Sequence, residues 1–358
     1  MGSNYFNKLF EISTFGESYS KYIGVLIDGC PSNVKITKKE IEDELKKRWP
    51  NNNFSTSRKE SDKIEIVSGI YDDTTTGSPI VILIKNEDIN LSDQKKNKTL
   101  LKPSHANYTY FKKYKNFDYR ASSRASGRLT APLVIASAIS KKILKKYKIE
   151  IFTYIKSIGT IKANIKNSDL KNIHKSKILC PDAKKEKEMI DLLEKIKKKK
   201  DSIGGSIEFI IKNLPVGLGE PLYDKFQARL SSLIFSIPAI KAFEIGDGID
   251  ASTKTASSRN DIFIKNNNII TTKTNNEGGV LAGLTNGNDV IARAYVKPTP
   301  TIGINQETLD IDGNEKKYII DNYLRNDTCI AIRAVIVIEA MIANMLVDFL
   351  MLNKAAMI

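Results

Sequence analysis

The chain has 358 residues, of which 41% are apolar and 27% charged, a composition that suits a soluble globular protein with a substantial core. No run of 18 or more apolar residues predicts a membrane span, and the N-terminal segment lacks the pattern of a signal peptide. Cys30, Cys180 and Cys329 are widely spaced and form no C-x-x-C pair, which predicts reduced, inert thiols in a cytoplasmic protein. Two histidines are too few for most zinc sites, so no metal is expected.

The net charge of +15 has three possible explanations. Clustered Lys and Arg side chains can bind nucleic acid, or they can attract a polyanionic small substrate. The third explanation is compositional drift, because the chain is rich in the Lys, Ile and Asn that A/T-rich codons supply. We assign most of the excess to drift. The arginines are more informative, since they are scarcer and cluster where glycines and serines cluster.

The N-terminal third predicts strands and one amphipathic helix. Strands at 5–12 and 22–28 are joined by the stretch "TFGESYS", and a helix is expected over 36–49, with Thr37 able to cap its start. Two further strands follow at 63–70 and 78–86. Residues 87–127 form a polar connection far longer than usual loops, yet its many aromatics argue against disorder. We therefore expect an ordered, functional loop region there.

The rest of the chain mixes helices and strands. The pattern predicts a buried helix over 129–148, strands near 150–160 and 205–213, and helices near 185–200, 221–237 and 329–352. Strands and helices do not alternate regularly, which favours an α+β fold over a doubly wound sheet. No linker or repeat divides residues 1–358, so we expect a single domain.

Four polar stretches are more specific than a scaffold requires. In "PSHANYTY" (103–110), His105 is either a surface residue or a hydrogen-bonding imidazole kept neutral by nearby arginines. In "RASSRASGRLT" (120–130), arginines recur every four residues before a helix. If that turn is helical they share a face and create an anion site; otherwise the stretch is a solvated basic loop.

The other two stretches lie in the C-terminal third. Gly278 and Gly279 can let the backbone approach a flat ligand, or they belong to ordinary hairpin turns. Asp327 stands just ahead of the last helix, where it can cap the helix, which is the default, or act as a base. Physics alone therefore predicts an anion-binding enzyme with its site in the loops.

Taken in order, these stretches resemble the chorismate synthase family. The matching segments are "GESYS" (16–20), "KPSHANYTY" (102–110), "RASSRASGRLT" (120–130), "DSIGG" (201–205), "GLGEP" (217–221), "EIGDG" (244–248), "EGGVLAG" (277–283), "KPTPT" (297–301), "RNDTC" (325–329) and "RAVIVIEAM" (333–341). They span essentially the whole chain.

The resemblance implies an α+β fold with helices packed between antiparallel β-sheets, assembled as a homotetramer. It implies a cytoplasmic carbon–oxygen lyase that converts 5-enolpyruvylshikimate 3-phosphate to chorismate by 1,4-anti elimination of phosphate. This is the last step of the shikimate pathway. Reduced FMN is required without net redox change, and NADPH is a possible reductant of the flavin. The partner is thus a small anionic substrate, not nucleic acid or a membrane.

The resemblance also assigns roles to individual residues. His105 matches a proton donor and Asp327 an aspartate that helps to move the C6 proton. Arg48, Arg124 and Arg128 match substrate-binding arginines, and Arg48 also matches a position linked to NADP. The positions that match FMN-binding residues are Arg124, Ala125, Ser126, Pro238, Ala239, Gly278, Gly279, Lys297, Pro298, Thr299, Pro300, Thr301 and Arg325.

The chain departs from the family pattern at several positions. Tyr19 replaces the first of the family's two active-site histidines, and Ser20 replaces a glycine. Asn326 replaces the histidine of R-H-D, and the glycine triplet and glutamate are lost from 120–130. Loss of a general acid typically costs about 10²- to 10⁴-fold in rate. We therefore expect slow but genuine catalysis; the alternative is a degenerate homologue that binds FMN or substrate with little turnover.

Overall fold

The computed structural model describes residues 3–49, 54, 61–87, 97–116, 118, 122–267, 269–320 and 326–356. Two arginines named above, Arg120 and Arg325, lie outside these ranges. The helices that the described ranges contain are α1 (Lys38–Lys46), α2 (Asn107–Tyr114), α3 (Ala131–Lys146), α4 (Ala183–Lys198), α5 (Phe226–Phe235), α6 (Ala256–Arg259) and α7 (Ala331–Ala355). Short 3₁₀ segments lie at Ser123–Ala125, Gly127–Thr130, Asn167–Lys175 and Gly248–Thr253.

The strands form two five-stranded sheets and several short hairpins. The first sheet has the order β1-β2-β3-β7-β4 and the second the order β11-β16-β10-β8-β9. Neighbouring strands are antiparallel throughout the described ranges. The strands are β1 (Tyr5–Phe6), β2 (Glu11–Gly16), β3 (Tyr22–Asp28), β4 (Ile64–Ser68), β5 (Ile70–Tyr71), β6 (Thr74–Thr75), β7 (Ile80–Lys85), β8 (Glu150–Ile158), β9 (Ile161–Lys162), β10 (Gly205–Lys212), β11 (Ile240–Ile245), β12 (Phe263–Asn266), β13 (Ile269–Thr272), β14 (Val280–Leu281), β15 (Leu284–Thr285), β16 (Val290–Val296), β17 (Gln306–Leu309) and β18 (Glu315–Tyr318).

The main helices lie between the two sheets. Helix α3 packs on β2, β3 and β7 of the first sheet, and α7 packs on β8 and β10 of the second. The two helices also pack on each other, so the layers run sheet, helix, helix, sheet. This confirms the expected α+β fold, with helices between antiparallel sheets. One continuous hydrophobic core reaches from Ile12 in the first sheet to Phe209 in the second.

Local sequence explains where the first helix begins. Thr37 accepts a hydrogen bond from the Glu40 backbone N–H (3.1 Å), and the Glu40 carboxylate accepts one from the Thr37 backbone N–H (3.0 Å). This reciprocal capping box satisfies two backbone donors that a helix start leaves unpaired. The predicted cap is confirmed, and the apolar residues Ile41 and Leu45 face the core.

Helix α7 is long and apolar enough to cross a membrane by those two criteria alone. Within the protein, however, 89% of its most apolar 18-residue window is buried. Its polar residues are satisfied there: Asn344 accepts a hydrogen bond from Ser140 of α3 (2.7 Å) and donates one to the Leu133 carbonyl (3.1 Å). The apolar surface of α7 therefore fills the space between the sheets.

Three predicted elements differ from the structure. The strand expected over 5–12 is two strands, β1 and β2, and β2 extends to Gly16. The helix expected over 221–237 begins only at Phe226, and residues 221–224 form bends instead. The long connection 87–127 contains helix α2 and two 3₁₀ segments, so part of it is regular structure; residues 88–96, 117 and 119–121 lie outside the described ranges. All three cysteines are buried and free, as predicted.

Candidate active site

Three predicted segments, distant in the sequence, lie side by side. The Lys297 side chain donates to the Ser104 carbonyl (3.2 Å), and the Lys297 backbone N–H donates to the Ala239 carbonyl (2.9 Å). Thr301 Oγ1 lies 3.0 Å from His105 Nε2. The antiparallel pairing of β11 with β16 accounts for this, since residue 239 precedes one strand and residue 297 follows the other. The fold thus brings the loop 103–105 against 238–239 and 297–301.

His105 is neutral at pH 7. Burial lowers the pKa of its imidazole below the usual value, and the hydrogen bond to Pro103 opposes this effect. Nδ1 lies 3.1 Å from the Pro103 carbonyl, which can only accept, so Nδ1 carries the proton. Nε2 is then an acceptor for the Thr301 hydroxyl. Burial, not nearby arginines as expected, is the main cause of the lowered pKa, and Nδ1–H already has an acceptor.

A small open cleft, with about 30 Å³ of water-accessible space, lies where the helices α3 and α7 begin. Its walls are mainly apolar, with two guanidinium groups among them. A cleft with apolar walls and a few convergent charged groups is the usual form of a small-molecule site. The lining residues are Arg48, Gly127, Thr130, Ile237, Pro238, Ile330, Arg333, Ala334 and Val337.

Arg48 is the most deeply buried cation of this cleft, at 2% exposure. Its Nη2 donates to the Gly127 carbonyl (3.0 Å) and to Thr130 Oγ1 (3.1 Å). Its Nη1 has no hydrogen-bond acceptor among the residues that the structure describes. Burial, and next the charge of Arg333, lower the pKa of Arg48 to about 9. The guanidinium therefore remains charged at pH 7, as the binding of an anion requires.

Asp327 and Arg333 form an ion pair at the N-terminal end of α7. Arg333 Nη1 donates to Asp327 Oδ2 at 3.1 Å, and Asp327 is 6% exposed. The helix starts at Ala331 without a side-chain cap, so the default expectation that Asp327 caps it is wrong. The sequence analysis missed Arg333 as a site residue, although it stands in the matching segment "RAVIVIEAM".

Arg124 and Arg128 do not share a helical face, so that expectation is also wrong. The two 3₁₀ segments break at Ser126, whose backbone is extended (φ −75°, ψ 141°) and whose hydroxyl accepts from the Arg128 N–H (3.2 Å). Arg124 donates instead to the carbonyls of Gly16 (3.0 Å) and Thr14 (3.2 Å) on β2. These bonds hold residues 122–130, including Ala125, against the first sheet.

Arg128 is buried in a polar network behind the cleft. Its Nε donates to Asn86 Oδ1 (2.9 Å), and its Nη1 forms a short ion pair with the Asp62 carboxylate. Asp62 also accepts from Trp49 Nε1 (2.8 Å). No sequence signal indicated Asp62, because it stands in a stretch rich in lysine and serine and its burial depends on the tertiary fold.

The stretch "GESYS" forms a tight turn after β2. Gly16 has a left-handed φ of +87°, and a Cβ there would meet the Tyr22 carbonyl at 2.4 Å, which explains the glycine. The Glu17 carboxylate accepts from Ser123 (2.7 Å), and Ser20 donates to the Tyr22 carbonyl (2.6 Å). Tyr19 is buried at 7% exposure. The turn is thus joined by hydrogen bonds to residues 122–130.

Gly278 and Gly279 lie away from this group. A Cβ on Gly278 would meet the backbone of Gly246 at 2.3 Å, so close backbone packing already requires this glycine. The Gly278 carbonyl accepts from Ile291 near the start of β16, whereas Lys297 follows its end. The seven-residue strand separates these positions by about 20 Å. Their predicted contact with the ligand stays a prediction.

The segment that follows β16 contains one buried polar atom without a partner. Ser202 donates to the Thr299 carbonyl (2.6 Å), which fixes the segment Pro298–Pro300 beside β10. Thr299 Oγ1 is buried, and the described ranges offer it no hydrogen-bond partner. Such an atom is costly unless a ligand or water satisfies it.

These observations define a class of protein: an α+β protein with an open, mainly apolar cleft that two arginines line. The described residues contain no group of three or more His, Cys, Asp or Glu side chains arranged to hold a metal ion. The family model for chorismate synthase matches residues 10–351. The chain belongs to the chorismate synthase family.

Individual relatives agree with this assignment. The chain is 43% identical to chorismate synthase from Protochlamydia amoebophila, over 99% of each chain, and 40% identical to that from Bacteroides fragilis, over 98% of each. A crystal structure of chorismate synthase is similar with a TM-score of 0.76 and 26% identity, over 97% of this chain and 93% of that one. The similarity therefore extends over nearly the full length in both sequence and structure.

Proposed function

We propose that this chain is an active chorismate synthase, a carbon–oxygen lyase that eliminates phosphate from 5-enolpyruvylshikimate 3-phosphate. In this 1,4-elimination the C3–O bond to phosphate and a C6–H bond break, and two conjugated ring double bonds remain. The products are chorismate and inorganic phosphate. The observation that carries the proposal is the buried Arg48, which lines an apolar cleft and whose Nη1 has no hydrogen-bond acceptor among the described residues.

The substrate carries carboxylates and a phosphate, so its site needs buried cations. Arg48 and Arg333 line the cleft together, and their like charges disfavour each other when no anion is present. An anionic group between them would relieve this repulsion. Arg124 and Arg128 contribute differently, since both are bound to protein acceptors and support the cleft from behind. Their direct contact with substrate, and that of Arg48 with NADPH, remain proposals.

Reduced FMN fits the same region as a phosphate-bearing, polar ligand. The residues proposed to hold it around the cleft are Ser126, Pro238, Ala239, Lys297, Thr299 and Thr301, of which Thr299 has an unsatisfied buried hydroxyl. When bound, this group supplies electron density to the substrate as the phosphate leaves. Arg325, Gly278 and Gly279 are further proposed contacts.

Two residues are proposed to move protons. Asp327 is proposed to help remove the C6 proton, because it is a buried carboxylate held by Arg333 beside the cleft. His105 is proposed to act as a proton donor, and an anion bound nearby would favour its charged form. In the free protein its Nε2 accepts from Thr301. Tyr19 can donate a hydrogen bond to a leaving phosphate but brings no positive charge.

Residues 1–358 are proposed to form one domain, because one continuous core includes both sheets and the helices between them. We also propose a cytoplasmic homotetramer, as the family resemblance implies. Exposed apolar side chains support self-association: on the hairpin β12–β13, Phe263, Ile269 and Ile270 are 63%, 69% and 73% exposed. Sedimentation velocity of the purified protein tests this, since a monomer at micromolar concentration would contradict it.

The function is tested by an anaerobic assay. Purified protein, chemically reduced FMN and 5-enolpyruvylshikimate 3-phosphate should release chorismate and phosphate in equal amounts, whereas oxidised FMN should support none. Arg48→Gln should raise KM strongly, and the control Arg259→Gln, at the end of the short helix α6, should not. Substrate binding without product would establish the degenerate homologue instead.

A further inference from the structure

Asp62 is a buried carboxylate at the centre of the network behind the cleft. It is 8% exposed and accepts hydrogen bonds from Trp49 Nε1 (2.8 Å) and, at short distance, from Arg128 Nη1. Arg48 Nη1 lies 4.0 Å from Asp62 Oδ2, at the limit of an ion pair. Three side chains from two segments of the chain, Arg48 and Trp49 from one and Arg128 from the other, thus converge on one carboxylate.

The carboxylate is ionised in spite of its burial. Burial raises the pKa of Asp62, but Arg128 and then Arg48 outweigh this effect and hold it below its usual range. A buried charge of this kind is retained only when it is paired and hydrogen-bonded. The energetic cost of keeping it in this position suggests a role besides packing.

The contacts of Asp62 lie on both sides of Arg48. On one side it holds the indole of Trp49, the next residue in the chain, and the Arg333 guanidinium lies 5.9 Å above that ring. On the other side it holds Arg128, whose neighbours Gly127 and Thr130 accept from Arg48 Nη2. Asp62 is too far from Arg48 Nη1 to occupy it with a hydrogen bond.

We propose that Asp62 is a positioning residue for the anion site: it clamps Trp49 and Arg128 so that the Arg48 guanidinium is held in the wall of the cleft, where it binds an anionic oxygen. The inference deepens the proposed function and rests on it for the identity of the anion. Asp62 itself does not touch the ligand, because it lies behind the arginines and does not line the cleft.

Asp62→Asn separates positioning from simple charge balance. The substitution removes a negative charge close to Arg48, so electrostatics alone predicts tighter anion binding. Positioning predicts the opposite, since an amide cannot accept from Arg128 and Trp49 together with the same geometry. We expect the Kd for 5-enolpyruvylshikimate 3-phosphate, measured by calorimetry, to rise roughly 10- to 100-fold. KM should rise in parallel, with kcat within about threefold of the wild type.

Three further variants make the test specific. Trp49→Phe keeps an aromatic ring and the Asp62 charge but deletes the Nε1–H donor, so it should weaken binding in the same direction and by less. Asp62→Glu keeps the charge and should recover part of the affinity. The matched control is Asp224→Asn, which breaks another Asp–Arg pair, with Arg229, at the far end of α5 from Pro238. It should lower the unfolding midpoint and leave the Kd unchanged.

The inference is overturned if Asp62→Asn binds substrate as tightly as the wild type or more tightly, or if Asp224→Asn weakens binding equally. If Asp62→Asn does not fold, an unchanged Kd for Trp49→Phe overturns it. Titration with inorganic phosphate, as a second probe, distinguishes failure of the Asp62 inference from failure of the proposed function. A wild type that binds phosphate at Arg48 but yields no chorismate would contradict the function and leave the Asp62 comparison valid.

Discussion

Arg333 Nη1 donates a 3.1 Å hydrogen bond to Asp327 Oδ2, and this pair ties the first turn of α7 back to the segment before it. The same arginine lines the cleft and lies over the indole of Trp49. One side chain therefore connects the proposed proton-transfer residue with the anion site. This ion pair fixes the orientation of the Asp327 carboxylate. A capping role would instead direct that carboxylate towards the backbone N–H groups at the start of α7.

Asp327→Asn should lower kcat by about 10²- to 10⁴-fold, because an amide cannot accept the C6 proton. The Kd for substrate should change little, since Asp327 is not a binding cation. Anaerobic steady-state kinetics with reduced FMN measures both quantities. The thermal midpoint serves as the folding control, and a kcat within threefold of the wild type would refute the assigned role.

Tyr19→His should raise kcat, by up to about 10²-fold, because an imidazolium brings a positive charge and an acidic proton to the leaving phosphate. Tyr19→Phe is the matched comparison, since it keeps the ring and deletes the hydroxyl, and it should lower kcat. An unchanged or lower rate for Tyr19→His would mean that the site has adapted to tyrosine. The measurement is the initial rate of chorismate formation at saturating substrate.

His105 should make stability depend on pH. Its pKa is lowered by burial, so below the unfolded pKa of about 6.5 the unfolded chain binds more protons than the folded one. Its contribution is therefore fully present above pH 6.5 and is lost as the pH falls through the folded pKa. In urea unfolding at pH 7.5 and pH 5.5, His105→Gln should lose less stability on acidification than the wild type. Equal losses in the two proteins would contradict this prediction.

Asp348→Asn should destabilise the fold by about 3–5 kcal/mol. The Asp348 carboxylate is fully buried and accepts backbone N–H bonds from Lys8, Leu9 and Phe10 at 3.0, 2.7 and 2.9 Å. It also pairs with Arg229, which the variant would leave with a neutral partner. The surface variant Asp43→Asn, which breaks an exposed pair with Lys46, should change the free energy of unfolding far less than Asp348→Asn does. Urea unfolding of both variants decides the comparison.

The sequence predicted the regular elements well wherever local chemistry sets them. Thr37 caps α1 as expected because the S/T-x-x-E spacing acts within one helical turn. The buried helix α3 followed from its continuous apolar surface, which no other environment accommodates. Asp327 shows the opposite case. Its position ahead of a helix predicted a cap, but the side chain of Arg333, in the first turn of that helix, holds the carboxylate instead.

For the candidate site, the sequence predicted which residues belong to it but not how they are arranged. The ordered motifs determined the family, the α+β fold and the residues that could carry the chemistry, because these depend on residue identity at fixed places along the chain. Tertiary structure alone decided that Arg48 and Arg333 line the cleft while Arg124 and Arg128 support it from behind. It alone buried Asp62 between two hydrogen-bond donors, Trp49 and Arg128, and near the charge of Arg48. These outcomes depend on desolvation and on contacts between segments far apart in the chain, which no local pattern encodes.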